Sequence, residues 1–436
     1  MKTLINPNND ELKQLFLRPA QEGVPEELVK EVFERVAAKG DLSIKKYTQQ
    51  FDGVNVNNLR ISPQEIESQA AKADAELVTA LARAIKNIRI FHQTQRIKPT
   101  KVMTTPGVNC WMESRALERV GLYVPGGTAP LFSTLCMLAV PAQVAGVDEI
   151  IVCTPPDKNG ELNPAIAWVL QFLEIEKVFL AGGIQAIAGM AIGTKKIPKV
   201  QKIFGPGNKY VEAAKQFATR YGAAFDLPAG PSEVLVLADD KANVDFVASD
   251  LLAQAEHDTQ AQVGVIARSS EWLAKLQNAL DAQLALLPRK EIATVSLSNS
   301  WAVVAPNLNR QFEWSNDYAP EHLILHLENA SNTIDKVRNA GSVFIGSWTP
   351  ESLGDYASGT NHTLPTYGWA KQYSGVSVFS FQKQITFQEA EPIGIENIGD
   401  TVVTLARGEG LEGHAQAVVK RLEMLEAERS RLDIYK

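Results

Sequence analysis

Histidine is scarce in this chain, six among 436 residues, and four of the six lie in polar segments flanked by glycine or acid. Gln254 and His257 are three apart at the end of the helical run VDFVASDLLAQAEH, so they share one face and could grip one atom. Taken alone, the segment reads more simply as a helix C-terminus whose histidine meets the negative dipole end. Glu321 and His322 follow Tyr-Ala-Pro at the start of the strand HLILHL. A carboxylate beside an imidazole can supply two acid–base groups of different pKa; a surface Glu next to a half-exposed His fits that segment equally well. His326, further along the strand, reads as structural. Asp355 stands in the polar stretch Leu-Gly-Asp-Tyr-Ala-Ser-Gly-Thr-Asn-His362, a glycine-flexed loop of the kind that carries function more often than it merely connects. Glu409 and His414, alone, read as a solvated helix start, and His92 in IRIFHQTQ as a surface or satisfied histidine. Of the cysteines, Cys136 and Cys153 lie in apolar runs, where they are small core residues by default, and Cys110 lies in a hairpin. No thiol is placed like a nucleophile.

The elements that must position these residues alternate along the chain. The first 22 residues have little periodicity and read as an arm; a helix starts at Pro25 and is stopped by Gly40, and a second runs from Asp74 to Gln95. Thr105-Pro106-Gly107 is a turn between two extended pieces. From Val120 onward short apolar strands (GLYV, EIIVC, KVFL, VQKIF, SEVLVLA) alternate with helices such as PAIAWVLQFLE and KYVEAAKQFATRYG. A second series follows through QVGVIA, SSEWLAKLQNAL, EHLILHL and SVFIG. The pattern predicts α/β architecture with two doubly wound domains joined near 227–232, then a helix-rich end. In such sheets ligands sit at the carboxyl ends of strands, and here those ends carry Pro125-Gly126-Gly127, Ala181-Gly182-Gly183 and Gly205-Pro206-Gly207-Asn208, which suits a nucleotide's phosphates.

Composition bounds the rest. With 45% apolar and 21% charged residues the chain is an ordinary folded protein, and 436 residues exceed one ordinary core. A net charge of −7 without runs of like charge offers nothing to a nucleic acid. No stretch suits a membrane span or a signal peptide, and three cysteines without CxxC spacing imply a reducing, cytoplasmic setting. A G-x-G-x-x-G occurs at Gly408, Gly410 and Gly413, between the β-prone TVVTLA and a helix. Only 23 residues follow it, with no second strand to hold a ribose, so it is rejected as a dinucleotide fingerprint.

Singly ambiguous, the segments VGLYVPGGTAPLFST, KIFGPGNKYV, DLPAGPSEVLV, LLAQAEHD, DYAPEHL, GDYASGTNHTLPT and EGLEGHA together resemble the histidinol dehydrogenase family in order and spacing, over about residues 25–420. The resemblance implies an NAD-dependent, zinc-dependent homodimer with shared active sites, oxidising L-histidinol through L-histidinal to L-histidine, the last steps of histidine biosynthesis. It implies two incomplete Rossmann-like domains with N- and C-terminal helical arms. Residues 1–22 would be the first arm; 23–118 with 233–375 the domain bearing metal and catalytic residues; 119–232 the NAD side; and 376–436 an arm reaching the partner's site. It implies one zinc per subunit on Gln254, His257, Asp355 and His414, the last from the partner, with Glu321 activating water and His322 accepting protons. Ser232, His362 and Glu409 would line the substrate pocket together with the ligands and His322, and Tyr123, Gln185 and Asn208 would meet NAD. The rival from another class is a zinc hydrolase using the same ligands and a Glu-activated water; it has no need of the glycine-rich strand ends.

Overall fold

The computed structural model describes residues 1–19, 23–126 and 131–434. Gly127, the last residue of the first glycine-rich turn, and residues 20–22 of the expected arm lie outside the described residues. Two compact units emerge: residues 1–95 with 117–381, and residues 96–116 with 382–436.

Among the described residues the first unit contains two six-stranded sheets. One runs in the order Arg60–Ile61, Lys177–Leu180, Glu149–Thr154, Arg119–Tyr123, Lys202–Phe204, Ala224–Phe225, all parallel except the short first strand. The other runs Lys2–Ile5, Trp301–Val304, Gln262–Ala267, Glu233–Ala238, His322–His326, Ser342–Ile345, parallel throughout. Every residue of Glu233–Ala238 and of Gln262–Ala267 is buried, as strands covered by helices on both faces must be. Strand order reverses between Arg119–Tyr123 and Lys202–Phe204 in one sheet and between Glu233–Ala238 and His322–His326 in the other, so both are doubly wound.

Four sequence expectations change. The N-terminal arm supplies the edge strand Lys2–Ile5, paired with Trp301–Val304; four residues with little alternation carry too weak a signal to read alone. The helices within residues 26–93 bury Val29, Phe33, Ile44 and Ile85 in the same core as Val120, Ile151 and Val178, so they belong with the 119–225 strands and not with 233–375. Residues 376–381 also stay with the first unit, burying Val378 and Phe381 in that core. TVVTLA, β-branched and therefore read as strand-prone, is helical within Pro392–Gly408.

The second unit is an antiparallel sheet of Val102–Thr105, Val108–Ala116 and Gln382–Ala390 with the paired helices Pro392–Gly408 and Glu412–Ile434. The rejected glycine motif is the turn between those two helices, with Gly410 at a φ of 75°. No described helix is long and apolar enough to cross a membrane.

Candidate active site

Within the first unit the two sheets meet at a cavity of about 180 Å³. Gly205 and Pro206 line it from the carboxyl end of a strand, as the sheet rule expects. The second sheet instead presents amino ends: Ser232 precedes Glu233–Ala238, Glu321 and His322 open the neighbouring strand, and Gln254 and His257 stand at the end of the helix Val244–Ala255. Asp355 and His362 complete this side. Asp355 is not in a loop; Pro350 caps a short helix, Glu351–Tyr356, that carries it.

Glu321 and His322 are both buried, and their partner is one backbone residue. The Glu233 N–H donates to Glu321 Oε2 at 2.8 Å, and His322 Nδ1 lies 3.1 Å from the Glu233 carbonyl oxygen. Parallel pairing sets that register, with Val234 opposite His322. Ala319, at a φ of 55°, turns the chain from the helix Leu308–Tyr318 into the strand. The second nitrogen, Nε2, lies 3.4 Å from Asp355 Oδ1 without a well-formed hydrogen bond. Burial pushes the Glu321 carboxyl up to about 8. Burial would lower His322, but Glu351, Glu321 and Asp355 surround it and its pKa is well raised. Asp355 goes the other way: desolvation is opposed by His322, His362 and His257, and its pKa is lowered.

Sequence reasoning passed over Glu351, a buried carboxylate 3.7 Å from His322 Nδ1, whose pKa burial raises well above the carboxylate range. His322, Glu351 and Asp355 each offer a ligand atom, all within 4.8 Å of one another. Gln254, buried, sets its side-chain amide between Glu351 Oε1 and the Glu233 N–H, two contacts that are both satisfied with the amide nitrogen assigned to the carboxylate side. His257, open to solvent at the rim, is crowded enough that desolvation lowers its pKa, while Asp355 is near enough to oppose the shift. His362 is held at both nitrogens, Nδ1 by the Asp355 carbonyl oxygen at 2.9 Å and Nε2 by Thr134 at 3.3 Å. A neutral, oriented imidazole follows, and burial lowers its pKa. The remaining histidines of the first unit are structural: His326 binds Asp250 at 2.8 Å, and His92 binds the Ile88 carbonyl oxygen at 2.8 Å.

Of the proposed NAD residues, Tyr123 ends a strand of the first sheet, Gln185 lies in the helix Gly183–Ile192 and Asn208 precedes the helix Lys209–Ala218, all outside the described lining of this cavity. Tyr123 is buried, its hydroxyl taking the Gly183 N–H at 3.2 Å, and burial pushes it up to about 12. Gln185 is buried with Oε1 unpartnered, while its Nε2 reaches Asp52 at 3.4 Å. Asp52 had no signal in sequence; burial pushes its carboxyl up to about 6. Asn208 is exposed and caps the helix Lys209–Ala218, accepting the N–H groups of Tyr210 and Val211. A Cβ at Gly205 would lie 2.1 Å from the Tyr123 carbonyl oxygen, so only glycine permits this approach at the switch point. Glu409 and His414 belong to the second unit, in and after the turn joining its helices.

The histidinol dehydrogenase family model matches residues 18–422. A histidinol dehydrogenase of Bacteroides thetaiotaomicron is 49% identical over 428 residues, covering 98% of this chain and 100% of the relative. The Escherichia coli enzyme of that name is 44% identical over 431 residues, covering 97% and 98%. The crystal structure of histidinol dehydrogenase from Elizabethkingia anophelis superposes with a TM-score of 0.96 at 48% identity, covering 98% of this chain and 99% of that one.

Proposed function

This chain belongs to the histidinol dehydrogenase family, and from that premise we propose that it oxidises L-histidinol to L-histidine with NAD, in two steps through L-histidinal, at a zinc-bearing site. The observation that carries the reading is the Glu321–His322 pair, buried side by side at the cavity wall with unequal proton affinities. Neither buried thiol competes for the aldehyde step: burial raises the pKa of both Cys136 (up to about 12) and Cys153.

The cavity fits a cation in its chemistry. Glu321, Glu351 and Asp355 crowd one buried region with His322, an excess of acid that a metal would neutralise. Gln254, His257 and Asp355 would hold zinc together with His414 of the partner subunit; imidazole and carboxylate are ordinary zinc donors, and the glutamine is the unusual member. When bound, the metal supplies orientation, since it suits the imidazole and amine nitrogens of the substrate.

The chain's own residues then move the protons. Neutral His322 takes the carbinol proton as hydride passes to the nicotinamide, leaving the aldehyde. Glu321, as carboxylate, takes a proton from the water that adds to the aldehyde carbon, and the hydrate gives up the second hydride. Ser232, His362 and Glu409 would line the substrate, and Tyr123, Gln185 and Asn208 would contact NAD. His322 Nδ1, bonded to a backbone carbonyl, donates there, which leaves Nε2 as the accepting nitrogen. The compact His322/Glu351/Asp355 group is the competing cation position, and it would cost His322 its role as base. Zinc stoichiometry in His322→Asn separates the two: retained zinc with lost turnover supports the base, and lost zinc makes His322 a ligand.

A further inference from the structure

Behind the Glu321–His322 pair lies a second layer to which the sequence motifs assigned no role. The Glu233 carboxylate is 1% exposed, and its partner Arg18 comes from the N-terminal segment. Arg18 Nε donates to Glu233 Oε1, and Nη2 donates to Glu233 Oε2 at 3.0 Å. The same Nη2 reaches the carbonyl oxygens of Tyr318 at 2.8 Å and Ala319 at 3.4 Å, and the guanidinium lies 4.1 Å over the Tyr318 ring. On the far side, Tyr367, held at a φ of 55°, donates its N–H to Glu233 Oε1 at 2.9 Å.

One guanidinium therefore grips both backbone segments that set the pair. Residue 233 presents its N–H to Glu321 and its carbonyl oxygen to His322, while Tyr318 and Ala319 form the turn that delivers Glu321. A planar fork holds such a junction in one register, which a single ammonium cannot do. We propose that Arg18 and Glu233 are positioning residues for the oxidation: their side-chain pair fixes the backbone that orients Glu321 and His322, without itself touching substrate. This rests on the reading of that pair as the proton-accepting groups.

The test uses the full-length, zinc-loaded protein with histidinol and NAD, in Arg18→Ala and Arg18→Lys. We expect Arg18→Ala to lose about a hundredfold in kcat, the scale of a misplacement near 1 Å. KM for histidinol and zinc content should stay within about twofold, because Arg18 itself contacts no proposed ligand and no residue lining the cavity. Millimolar guanidinium should restore at least about tenfold of that loss, and equimolar urea should not. Arg18→Lys keeps charge and loses the fork, so its kcat should fall about tenfold at unchanged KM; it decides the matter if the alanine variant does not fold. Wild-type kcat in folded Arg18→Lys overturns the proposal, as does a loss in Arg18→Ala that guanidinium fails to relieve and that follows zinc content or unfolding. His322→Asn runs alongside: full turnover there overturns the base reading itself, whereas lost turnover there with a wild-type Arg18→Lys overturns the positioning role alone.

Discussion

Glu321 and His322 are neighbours in sequence with opposite demands on their protons. The carboxylates that ring His322 raise its pKa well above the ordinary imidazole value, so a base role requires the proton to leave. His322→Asn should retain zinc and lose about a thousandfold in turnover, measured as NADH formation beside metal content; turnover within tenfold of wild type would contradict the role. Glu321→Gln should slow oxidation of histidinal at least about tenfold more than reduction of histidinal by NADH, since only oxidation needs activated water. Equal losses in both directions would sink the assignment. The sign of the pH dependence follows from burial. A carboxyl raised to about 8 is a base only above that value, so histidinal oxidation should climb through about pH 8. A rate flat between about pH 6.5 and 9 would speak against Glu321. At this scale the sequence offered residue types and adjacency. It could not offer Glu351, Asp52 or Arg18, because an acid or a base gains meaning only from the burial and partners that folding brings.

Among the elements, the strand–helix alternation was readable because buried parallel strands such as EVLVLA and QVGVIA are apolar runs bounded by turns. Which helices cover which sheet was not, since Val29 and Phe33 say only that a face is apolar, not what it meets. Nor could the alternation reveal that the second sheet offers amino ends to the cavity, or that Asp355 rides a short helix. The glycine-rich turn at 205–207 depends on a feature equally silent in sequence. Lys215, 1% exposed, donates to the Gly205 carbonyl oxygen at 2.9 Å and to Asp226 Oδ1 at 2.8 Å, while Asp226 Oδ2 takes the Gly205 N–H at 2.8 Å. Glu212, also paired with Lys215, is pushed by burial up to about 7. Lys215→Met strands the buried Asp226 charge and should cost about 3–5 kcal/mol in denaturant unfolding. A loss below about 1 kcal/mol would mean that the cluster adds nothing to holding the turn.

Across the whole molecule, the proposed acid–base pair and three of the proposed zinc ligands come from the first unit, while His414 and Glu409 come from the second. A site completed by a partner would explain why a solvated helix start in EGLEGHA carries a histidine and a carboxylate. Mixing His414→Ala with His257→Ala subunits should then restore activity, with about one intact site per heterodimer. No recovery after demonstrated subunit exchange would argue for a site built within one chain. The central claim is the four-electron oxidation itself, and NADH released from L-histidinol, with and without chelator and zinc, tests it most directly. We expect about two NADH per histidinol, lost on chelation and regained with zinc; a folded, zinc-loaded protein that forms none would contradict it.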